Sequence, residues 1–305
     1  MSSLDCGVCP QIKLASYFVK PRLSDMKIKD PRPVALVTGA SSGMGREFAL
    51  RLIAEGYIVY GAARRVGRMF ELEKDGVRVM EMDLTVDGSL VSAIQRVLNE
   101  EGRLDLLVNN AGYGQYGTLE EVPMPDARRQ FETNLFGLAR LVQLVVPHMR
   151  ARRSGKIVNI SSIGGKLAMP VGGWYHASKF ALEGYSDTLR NELAPFGIDV
   201  IVIEPGGVET EWGGIAVEEA RRHSASGAYS SLIERFAKLQ SGNQRLAQPK
   251  VIGHLLVKAI RARRPATRYH GGTMAGPMLF LKEWLPDRVL DRMICMIFAT
   301  RRKSR

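Results

Sequence analysis

The sequence predicts a doubly wound α/β fold, in which helices cover both faces of a parallel sheet. Three observations support this prediction. From Val34 onwards, apolar runs of strand length alternate with stretches of helical periodicity. The strand runs are apolar along their whole length, which is typical of strands buried on both faces. A glycine-rich loop connects the first strand run to the first helical stretch, and glycine permits the tight turn that this connection needs.

The individual elements follow from the spacing of the apolar residues, which separates short continuous runs from helical repeats. A last strand is expected near TRYHGG, after six apolar runs that predict strands: VALVTG, YIVYGAA, VRVMEMD, LDLLVNNAG, GKIVNIS and IDVIVIEPGG. Helical spacing marks the segments between them: REFALRLIAEG, GSLVSAIQRVLNEEG, a long helix around RRQFETNLFGLARLVQLVVPHMR, and the stretch GWYHASKFALEG.

The chain divides into three parts. Residues 1–33 lack clear periodicity and are expected to form a flexible N-terminal extension. Residues 34–275 form the predicted main domain, with a small helical lid at about 211–245. Residues 276–305 carry apolar residues at helical spacing and end in a basic tail. Pro286 should divide this C-terminal segment into two short helices, because proline cannot continue a helix interior.

Composition and cysteine content exclude several classes of protein. Of the 305 residues, 45% are hydrophobic and 24% are charged, as in an ordinary soluble globular protein. No uncharged apolar run approaches the ~18 residues of a membrane span, and Met1–Lys29 lacks the apolar stretch of a secretory signal. Three cysteines cannot form a disulfide framework, which favours the reducing cytoplasm. Cys6 and Cys9 form a CxxC without a second ligand pair, so no metal site is predicted, and Cys295 is expected in the core.

The net charge of +12 comes partly from three basic runs: RARR (150–153), RARR (261–264) and RRK (301–303). Such runs can attract phosphate, anionic lipid or nucleic acid. No nucleic-acid motif and no aromatic-rich basic strand accompany them, so nucleic-acid binding is not predicted.

The loop TGASSGMG contains Gly39-x3-Gly43-x-Gly45, a variant of the dinucleotide-binding fingerprint. Its glycines allow a tight turn, a close approach of the backbone to phosphate and close packing of the following helix. The helix N-terminus adds N–H donors and a positive dipole end, which favour a pyrophosphate. The sequence therefore predicts a cofactor site in this loop, and the site also includes Ser41, Ser42 and Met44.

The end of the second strand selects between the two nicotinamide dinucleotides. An acidic residue there binds the ribose 2′-OH of NAD, whereas an arginine accommodates the 2′-phosphate of NADP. The strand ends in GAARR, which supplies Arg64 and Arg65 and no acid. NADP is therefore the predicted cofactor, with Arg64 as the 2′-phosphate ligand.

Tyr175 and Lys179 lie four residues apart in a predicted helix and therefore share one of its faces. An unperturbed phenol titrates near ~10, too high for proton transfer at neutral pH. A neighbouring ammonium favours the phenolate and should lower the pKa of the tyrosine. The pair is a candidate proton donor and acceptor, although YxxxK alone is a weak motif. His176 points ~100° away around the helix and is expected to pack.

Further motifs follow in a fixed order along the chain: MDLT (82–85), NNAG (109–112), NISS (159–162) and PGGVET (205–210). Ser162 precedes Tyr175 by thirteen residues, and Asn134 lies on the predicted long helix. With the glycine loop and the Tyr–Lys pair, this series resembles the short-chain dehydrogenase/reductase family from about Val34 to Thr210. The extension 1–33 and the basic tail depart from the family pattern.

The resemblance implies a Rossmann-like fold and a hydride-transferring enzyme that interconverts alcohols with ketones or aldehydes. Tyr175 would exchange a proton with the substrate oxygen, and Ser162 would hydrogen-bond the same oxygen. Lys179 would lower the pKa of Tyr175 and hold the nicotinamide ribose, and Asn134 would position a water beside Lys179. The resemblance also implies cofactor contacts from Asp83 and Leu84 near the adenine, from Val208 and Thr210 at the carboxamide, and from Asn110, Ala111, Gly112, Pro205 and Gly206.

Two segments should line the mouth of this site, IGGKLAMPVGGW and EWGGIAVEEA. Apolar walls with few polar anchors suit a lipophilic alcohol or carbonyl, as in family members that act on steroids, retinoids or lipid-like ketones. Ordinary hinge and lid contacts are the alternative explanation. A cofactor-binding regulator without turnover is the alternative function. The apolar residues in question are Ile163, Met169, Val171, Trp174 and Trp212.

The partners expected beyond the substrate are other copies of the chain, in a homo-oligomer that is a dimer or a tetramer. The apolar positions of 276–305 should pack on the sheet domain or a partner subunit. The rival interpretation is a weak association of this segment with an anionic membrane surface, helped by its basic end.

Overall fold

The computed structural model describes residues 30–241 and 245–298. Within them, seven strands form one parallel sheet in the order β3-β2-β1-β4-β5-β6-β7. The order reverses between β1 and β4, and doubly wound folds bind ligands at the carboxyl ends of the strands beside such a reversal. The strands are β1 (Val34–Thr38), β2 (Ile58–Ala63), β3 (Arg78–Glu81), β4 (Leu106–Asn109), β5 (Gly155–Ile160), β6 (Ile198–Pro205) and β7 (Arg268–Gly271).

Helices on both faces of the sheet connect these strands, and further helices follow β6 and β7. The connecting helices are α1 (Gly43–Ala54), α2 (Phe70–Lys74), α3 (Asp87–Glu101), α4 (Met124–Phe131), α5 (Gly137–Arg152) and α6 (Gly173–Leu193). The later helices are α7 (Trp212–Ser224), α8 (Ser230–Ser241), α9 (Pro249–Arg261), α10 (Ala275–Trp284) and α11 (Asp287–Phe298). The alternation of strands and helices confirms the predicted doubly wound, Rossmann-like fold.

Alternate residues of the central strands supply two apolar cores, one on each face of the sheet. Leu36 of β1 faces the core that includes Leu141 of α5. Val37, the next residue, faces the opposite core with Phe48 of α1 and Leu256 of α9. All five of these side chains are fully buried. The sheet is therefore buried on both faces, which explains why its strands are apolar along their length.

A third apolar cluster joins the loop after β4 to the helices that follow β6. Tyr116 in that loop packs with residues of α7 and α8, which occupy the predicted lid region. Leu290, Ile294 and Phe298 of α11 belong to the same cluster, and the Arg235 guanidinium of α8 donates a hydrogen bond to the Ile297 carbonyl at 2.9 Å. The C-terminal helix therefore packs against the lid helices.

Several details refine the sequence predictions. The seventh strand lies at TRYHGG as predicted, and Pro286 separates α10 from α11. The long helix is interrupted, because residues Glu132–Phe136 form a π-helical turn between α4 and α5. The expectation for Cys295 was wrong, since this residue is exposed while its neighbour Ile294 takes the buried position on α11.

Some expectations concern residues at the margins of the described chain. Cys6, Cys9 and most of the N-terminal extension lie outside the described residues, as does the basic end after Phe298. Within 30–241 and 245–298, no helix combines the length and apolar character needed to cross a membrane. The same residues contain no group of three or more acidic, histidine or cysteine side chains arranged to hold a metal ion.

Candidate active site

The glycine loop between β1 and α1 has the backbone shape that a dinucleotide needs. Gly39 and Gly43 have positive φ angles of 69° and 52°, which side-chain-bearing residues rarely adopt. A Cβ atom on Gly45 would overlap the Gly39 carbonyl. Ser42 is the N-cap of α1, yet its side chain makes no capping hydrogen bond. The loop thus leaves backbone and hydroxyl donors at a helix N-terminus, which fits a pyrophosphate.

The carboxyl ends of β1 and β4 are fixed to each other beside this loop. The Thr38 hydroxyl accepts hydrogen bonds from the backbone N–H groups of Asn110 at 3.0 Å and Ala111 at 2.9 Å. The Asn110 side-chain amide donates to the Thr38 carbonyl at 3.0 Å. A Cβ atom on Gly39 would lie 2.9 Å from the Ala111 Cα atom. The NNAG motif therefore packs directly against the glycine loop.

The predicted adenosine end of the site lies after β2 and β3. Arg64 is exposed beyond the end of β2, and its positive charge helps to hold the pKa of Asp83 below the usual value. Hydrogen bonds from the Thr85 N–H and hydroxyl to the Asp83 carboxylate, at 2.9 and 2.8 Å, lower that pKa more strongly against the opposing effect of burial. Leu84 is buried, and its carbonyl is close to Gly137 of α5. The Arg64 guanidinium and the closely packed backbone at Leu84 therefore both lie at the predicted adenosine end of the site.

The loop after β6 closes the other side of the predicted cofactor site. The Gly206 N–H donates to the Gly271 carbonyl at 2.8 Å, which ties the residue after Pro205 to β7. Val208 packs at the edge of the core that contains α1. A Cβ atom on Gly43 would lie 3.2 Å from the Thr210 side chain. The predicted nicotinamide loop therefore reaches back to the glycine loop.

The side chains of Asn134 and Lys179 both lie beside Gly112 of the NNAG motif. The Asn134 side chain accepts from the Tyr113 N–H at 3.1 Å and donates to the Tyr113 carbonyl at 2.9 Å and to the Ser178 hydroxyl at 3.2 Å. A Cβ atom on Gly112 would lie 3.0 Å from the Asn134 amide oxygen and 4.0 Å from Lys179 Nζ. Asn134 sits in the π-helical turn, a feature frequent at functional sites.

Lys179 is buried and donates a hydrogen bond to the Ile160 carbonyl at 2.8 Å. Burial lowers the pKa of Lys179 to about 8, and the negative charge of Glu183 opposes this shift. The Lys179 ammonium lies 6.0 Å from the centre of the Tyr175 ring. Both side chains are on one face of α6, as the i, i+4 spacing predicts.

Burial raises the pKa of Tyr175 to about 12, and a hydrogen bond from Ser162 acts in the opposite direction. Lys179 binds the Ile160 carbonyl and burial has the largest effect on Tyr175, so the expected lowering of this pKa by Lys179 stays a prediction. The Ser162 hydroxyl also accepts from the Gly164 N–H at 3.0 Å. His176 is buried, with Nδ1 3.0 Å from the Gly164 carbonyl, so it packs as expected.

Aromatic side chains surround the Tyr175 ring. Tyr116 stacks on it with a centroid distance of 5.8 Å, and Trp212 lies at 5.3 Å. Tyr116 also stacks on Phe236 at 5.3 Å and meets Trp212 edge-on at 5.1 Å. Met169 and Val171 belong to the same apolar cluster. These contacts leave Tyr175 facing an apolar, aromatic wall built by the lid and by the loop after β4.

Two of the residues predicted for this wall, Ile163 and Trp174, are not in the cluster with Tyr175, and sequence reasoning missed two residues that are. Trp174 packs edge-on against Phe131 of α4, with ring centroids 6.4 Å apart, and is not in the cluster with Tyr175. One position along a helix turns a side chain by ~100°, which explains the error. Tyr116 and Phe236 were missed, because their contact joins segments 120 residues apart and no local pattern indicates it.

Comparison with known proteins agrees with this geometry. The family model described as short chain dehydrogenase matches residues 33–220. The chain is 34% identical over 278 residues to a 3-ketodihydrosphingosine reductase of Bacteroides thetaiotaomicron, covering 88% of this chain and 98% of the relative. It is 32% identical over 273 residues to an NADPH-dependent 3-dehydrocapnine reductase of Ornithobacterium rhinotracheale, covering 85% and 94%.

A solved structure has the same fold. The crystal structure of a short-chain dehydrogenase from Streptomyces avermitilis superposes with a TM-score of 0.72 at 33% identity, covering 87% of this chain and 99% of that one. The family match spans more than half of the chain, and both relatives align over nearly their whole length. The chain is therefore an oxidoreductase that acts on CH–OH groups, and it belongs to the short-chain dehydrogenase/reductase family.

Proposed function

We propose that the chain is an NADP(H)-dependent oxidoreductase that interconverts a lipophilic alcohol with its ketone or aldehyde. The observation that carries this proposal is the position of Tyr175, whose phenol faces Ser162 on one side and the aromatic ring of Tyr116 on the other. A proton donor at an apolar wall suits a carbonyl group attached to an apolar body.

NADP(H) would occupy the cleft between the glycine loop and the loop after β6. Gly39, Gly43 and Gly45 would admit its pyrophosphate, and Arg64 would bind the 2′-phosphate. The exposed guanidinium beyond β2 and the absence of an acid in GAARR support NADP(H) over NAD(H). One relative is named as NADPH-dependent. When bound, the cofactor supplies or accepts the hydride.

Tyr175 would donate its proton to the carbonyl oxygen during reduction and take it back during oxidation. Ser162 would hold the same oxygen as negative charge develops on it. Lys179 would turn from the Ile160 carbonyl towards the cofactor ribose, where its ammonium would favour the Tyr175 phenolate. Asn134 would keep a water in contact with Lys179, since its side chain is already fixed by Tyr113 and Ser178.

The substrate is proposed to be a lipid-like ketone or the corresponding alcohol. Tyr116, Trp212 and Phe236 form an aromatic cluster with Tyr175. The 3-ketodihydrosphingosine reductase at 34% identity is named for a ketone of this kind. Since a missing methylene in an apolar pocket costs ~10-fold or more in specificity, long-chain ketones should be preferred over short ones.

Turnover on a panel of carbonyl compounds tests this function. Oxidation of NADPH is followed at equal concentrations of short-chain, long-chain and ring ketones, and kcat/KM should rise with apolar size. Tyr175→Phe removes only the hydroxyl, so it should lose ~100-fold or more of the rate while binding NADPH as before. Turnover of no carbonyl or alcohol by the native chain, with NADPH still bound, would instead support a cofactor-binding regulator.

We also propose that the chain forms a homo-oligomer through the surface around α4 and α6. Met124, Phe136 and Phe180 are exposed there, at 49%, 53% and 44% of their full areas. Several large exposed apolar side chains in one region are typical of an interaction surface. Light scattering should therefore give a mass of two or four chains, and Phe136→Lys should reduce it towards one.

Weak association of the C-terminal segment with an anionic membrane surface is proposed as well. It would bring the enzyme to a lipid-like substrate. Its support is the set of aromatic side chains exposed on α10 and the basic residues at the end of the sequence.

A further inference from the structure

Four charged side chains from four different segments meet beside the candidate active site. Lys166 follows the 3₁₀ turn Ile163–Gly165, Glu183 lies on α6, Glu204 on β6 and Arg268 on β7. Glu183 and Glu204 are only 4% and 2% exposed. We call these four residues the buried charge cluster.

Each cation of the buried charge cluster contacts both carboxylates. Lys166 Nζ lies 2.9 Å from Glu183 Oε2 and 3.8 Å from Glu204 Oε1. Arg268 lies 3.0 Å from Glu183 Oε2 and 3.3 Å from Glu204 Oε1. Its guanidinium also binds Asp187, one turn further along α6, at 2.7 Å. The cluster therefore connects α6 to β6, to β7 and to the turn after Ser162.

These segments are the ones that carry the predicted site residues. Ser162 immediately precedes the turn that leads to Lys166, and Pro205 immediately follows Glu204. Desolvating two carboxylates is expensive, and an apolar cluster of similar shape would hold the segments at least as firmly. The charges thus call for an explanation other than stability.

Glu183 stands one helical turn after Lys179, so the carboxylate and the ammonium lie on the same face of α6. The packing there is tight, since a Cβ atom on Gly165 would lie 3.0 Å from the Lys179 carbonyl and 3.1 Å from Glu183 Cγ. The negative charge of Glu183 acts on the pKa of Lys179 and opposes the larger effect of burial. Tyr175 is a further titratable group near Lys179, whose ammonium lies 6.0 Å from the centre of the Tyr175 ring.

We propose that Glu183, held by Lys166 and Arg268, is a positioning residue that keeps the Lys179 ammonium charged for its work beside Tyr175. The inference rests on the proposed role of Lys179. The cations fix the Glu183 carboxylate and lie closer to it than to Glu204. Burial and the charge of Glu183 raise the pKa of Glu204 to about 7. Lys179 alone would lose its proton readily in this buried position, and the support of Glu183 keeps it protonated over a wider range of pH.

Glu183→Gln tests the proposal, because it removes the charge and keeps the shape. Loss of a nearby opposite charge typically moves a pKa by ~1 unit or more. The alkaline limb of the pH profile of kcat/KM should therefore move to lower pH by about one unit. The pH at which NADPH binding weakens, measured by fluorescence titration without substrate, should move by a similar amount.

Glu192→Gln is the matched control, since Glu192 lies on the same helix and is exposed. It should leave both pH profiles unchanged. If Glu183→Gln does not fold, the double variant Glu183→Gln with Lys166→Gln removes one anion and one cation, so that Arg268 still faces Glu204 and Asp187. The double variant should show the same direction of shift.

The outcomes separate this inference from the proposed function. Unchanged profiles in the Glu183 variants, together with loss of turnover in Tyr175→Phe, would overturn the role of Glu183 and leave the proposed function standing. If the native chain turns over no carbonyl or alcohol, the proposed function fails, and the NADPH titration still decides whether Glu183 acts on Lys179.

Discussion

The ring of Tyr116 stacks on the ring of Tyr175, with centroids 5.8 Å apart and planes inclined by 29°. Tyr116 comes from the loop after β4, whereas Tyr175 is in the first turn of α6. Tyr116 also stacks on Phe236 of the predicted lid, with ring centroids 5.3 Å apart. One side chain thus links the proposed proton donor to the lid.

Replacing Tyr116 should affect substrate binding more than cofactor binding. Tyr116→Ala removes a ring that stacks on both Tyr175 and Phe236, so KM for a lipophilic ketone should rise ~10-fold or more. The free energy of unfolding should fall by about 3 kcal/mol, since the ring is buried. Tyr116→Phe keeps the ring and should stay near the native KM. Steady-state kinetics and denaturant unfolding measure both effects, and an unchanged KM in Tyr116→Ala would remove Tyr116 from the substrate wall.

We expect the buried Lys179 to lower the free energy of unfolding. Its proposed role beside Tyr175 explains why a lysine nevertheless occupies this position. Its pKa is about 8 in the folded chain, below the ~10.4 of a free lysine. Between these values the unfolded chain binds more protons, so stability rises with pH through this window, and the full penalty applies below pH ~8. A difference of this size corresponds to an upper limit of about 3 kcal/mol.

Lys179→Met should therefore raise the free energy of unfolding at pH 7 while abolishing turnover. The gain should shrink between pH 8 and pH 10, where the native lysine becomes neutral. Lys258→Met is the matched control, because Lys258 is exposed on α9 and should show no gain. Urea unfolding of the three proteins at several pH values makes the measurement. A native chain more stable than Lys179→Met at pH 7 would contradict the predicted burial penalty.

The fold and much of the site could be predicted because their signals are local. The strand runs, the positive-φ glycines 39 and 43 and the i, i+4 spacing of Tyr175 and Lys179 each depend on a short stretch of sequence. The lid contacts and the buried charge cluster could not be predicted in this way. Glu183 and Arg268 are 85 residues apart, and the packing of α6 on β6 together with the pairing of β6 with β7 brings them together.

The direction of the pKa shift of Tyr175 also depended on the fold. The i, i+4 spacing places a lysine nearby, but it does not reveal that the Ile160 carbonyl binds its ammonium or that Tyr116 and Trp212 pack against the Tyr175 ring. The sequence therefore predicted the pair, whereas the large effect of burial on the pKa of Tyr175 becomes evident only from the fold.

Arg64 should determine the choice between NADP(H) and NAD(H). A charge-assisted hydrogen bond to the 2′-phosphate contributes ~1.5–3 kcal/mol, which corresponds to roughly one to two decades in affinity. Arg64→Asp should therefore weaken NADPH binding by that factor and leave NADH binding the same or stronger. Arg68 is a control, since it is already paired with Glu211 at 3.0 Å, and Arg68→Gln should change the preference less. Equal dissociation constants of the native chain for NADPH and NADH would rule out this role.

Two expectations were stated for the C-terminal segment, packing in the protein interior and association with a membrane surface. The residues relevant to the first lie on α11, and those relevant to the second lie on α10. Leu290, Ile294 and Phe298 of α11 are buried against the lid cluster. Phe280 and Trp284 of α10 are 61% and 70% exposed, with ring centroids 6.0 Å apart. Aromatic side chains of this kind favour the membrane interface.

Sedimentation with vesicles should therefore show partial binding to anionic lipid at low salt and little at high salt. Each basic residue near such a surface adds ~1 kcal/mol, and Arg301, Arg302, Lys303 and Arg305 stand at the end of the sequence. Neutral vesicles should bind less, because this attraction is electrostatic. Replacing both Phe280 and Trp284 by serine should reduce binding without changing turnover of a water-soluble ketone, since the two exposed rings take no part in the wall around Tyr175. Absence of binding to anionic vesicles at low salt would leave the lid contact of α11 as the function of the segment and would point to another occupant for the exposed rings.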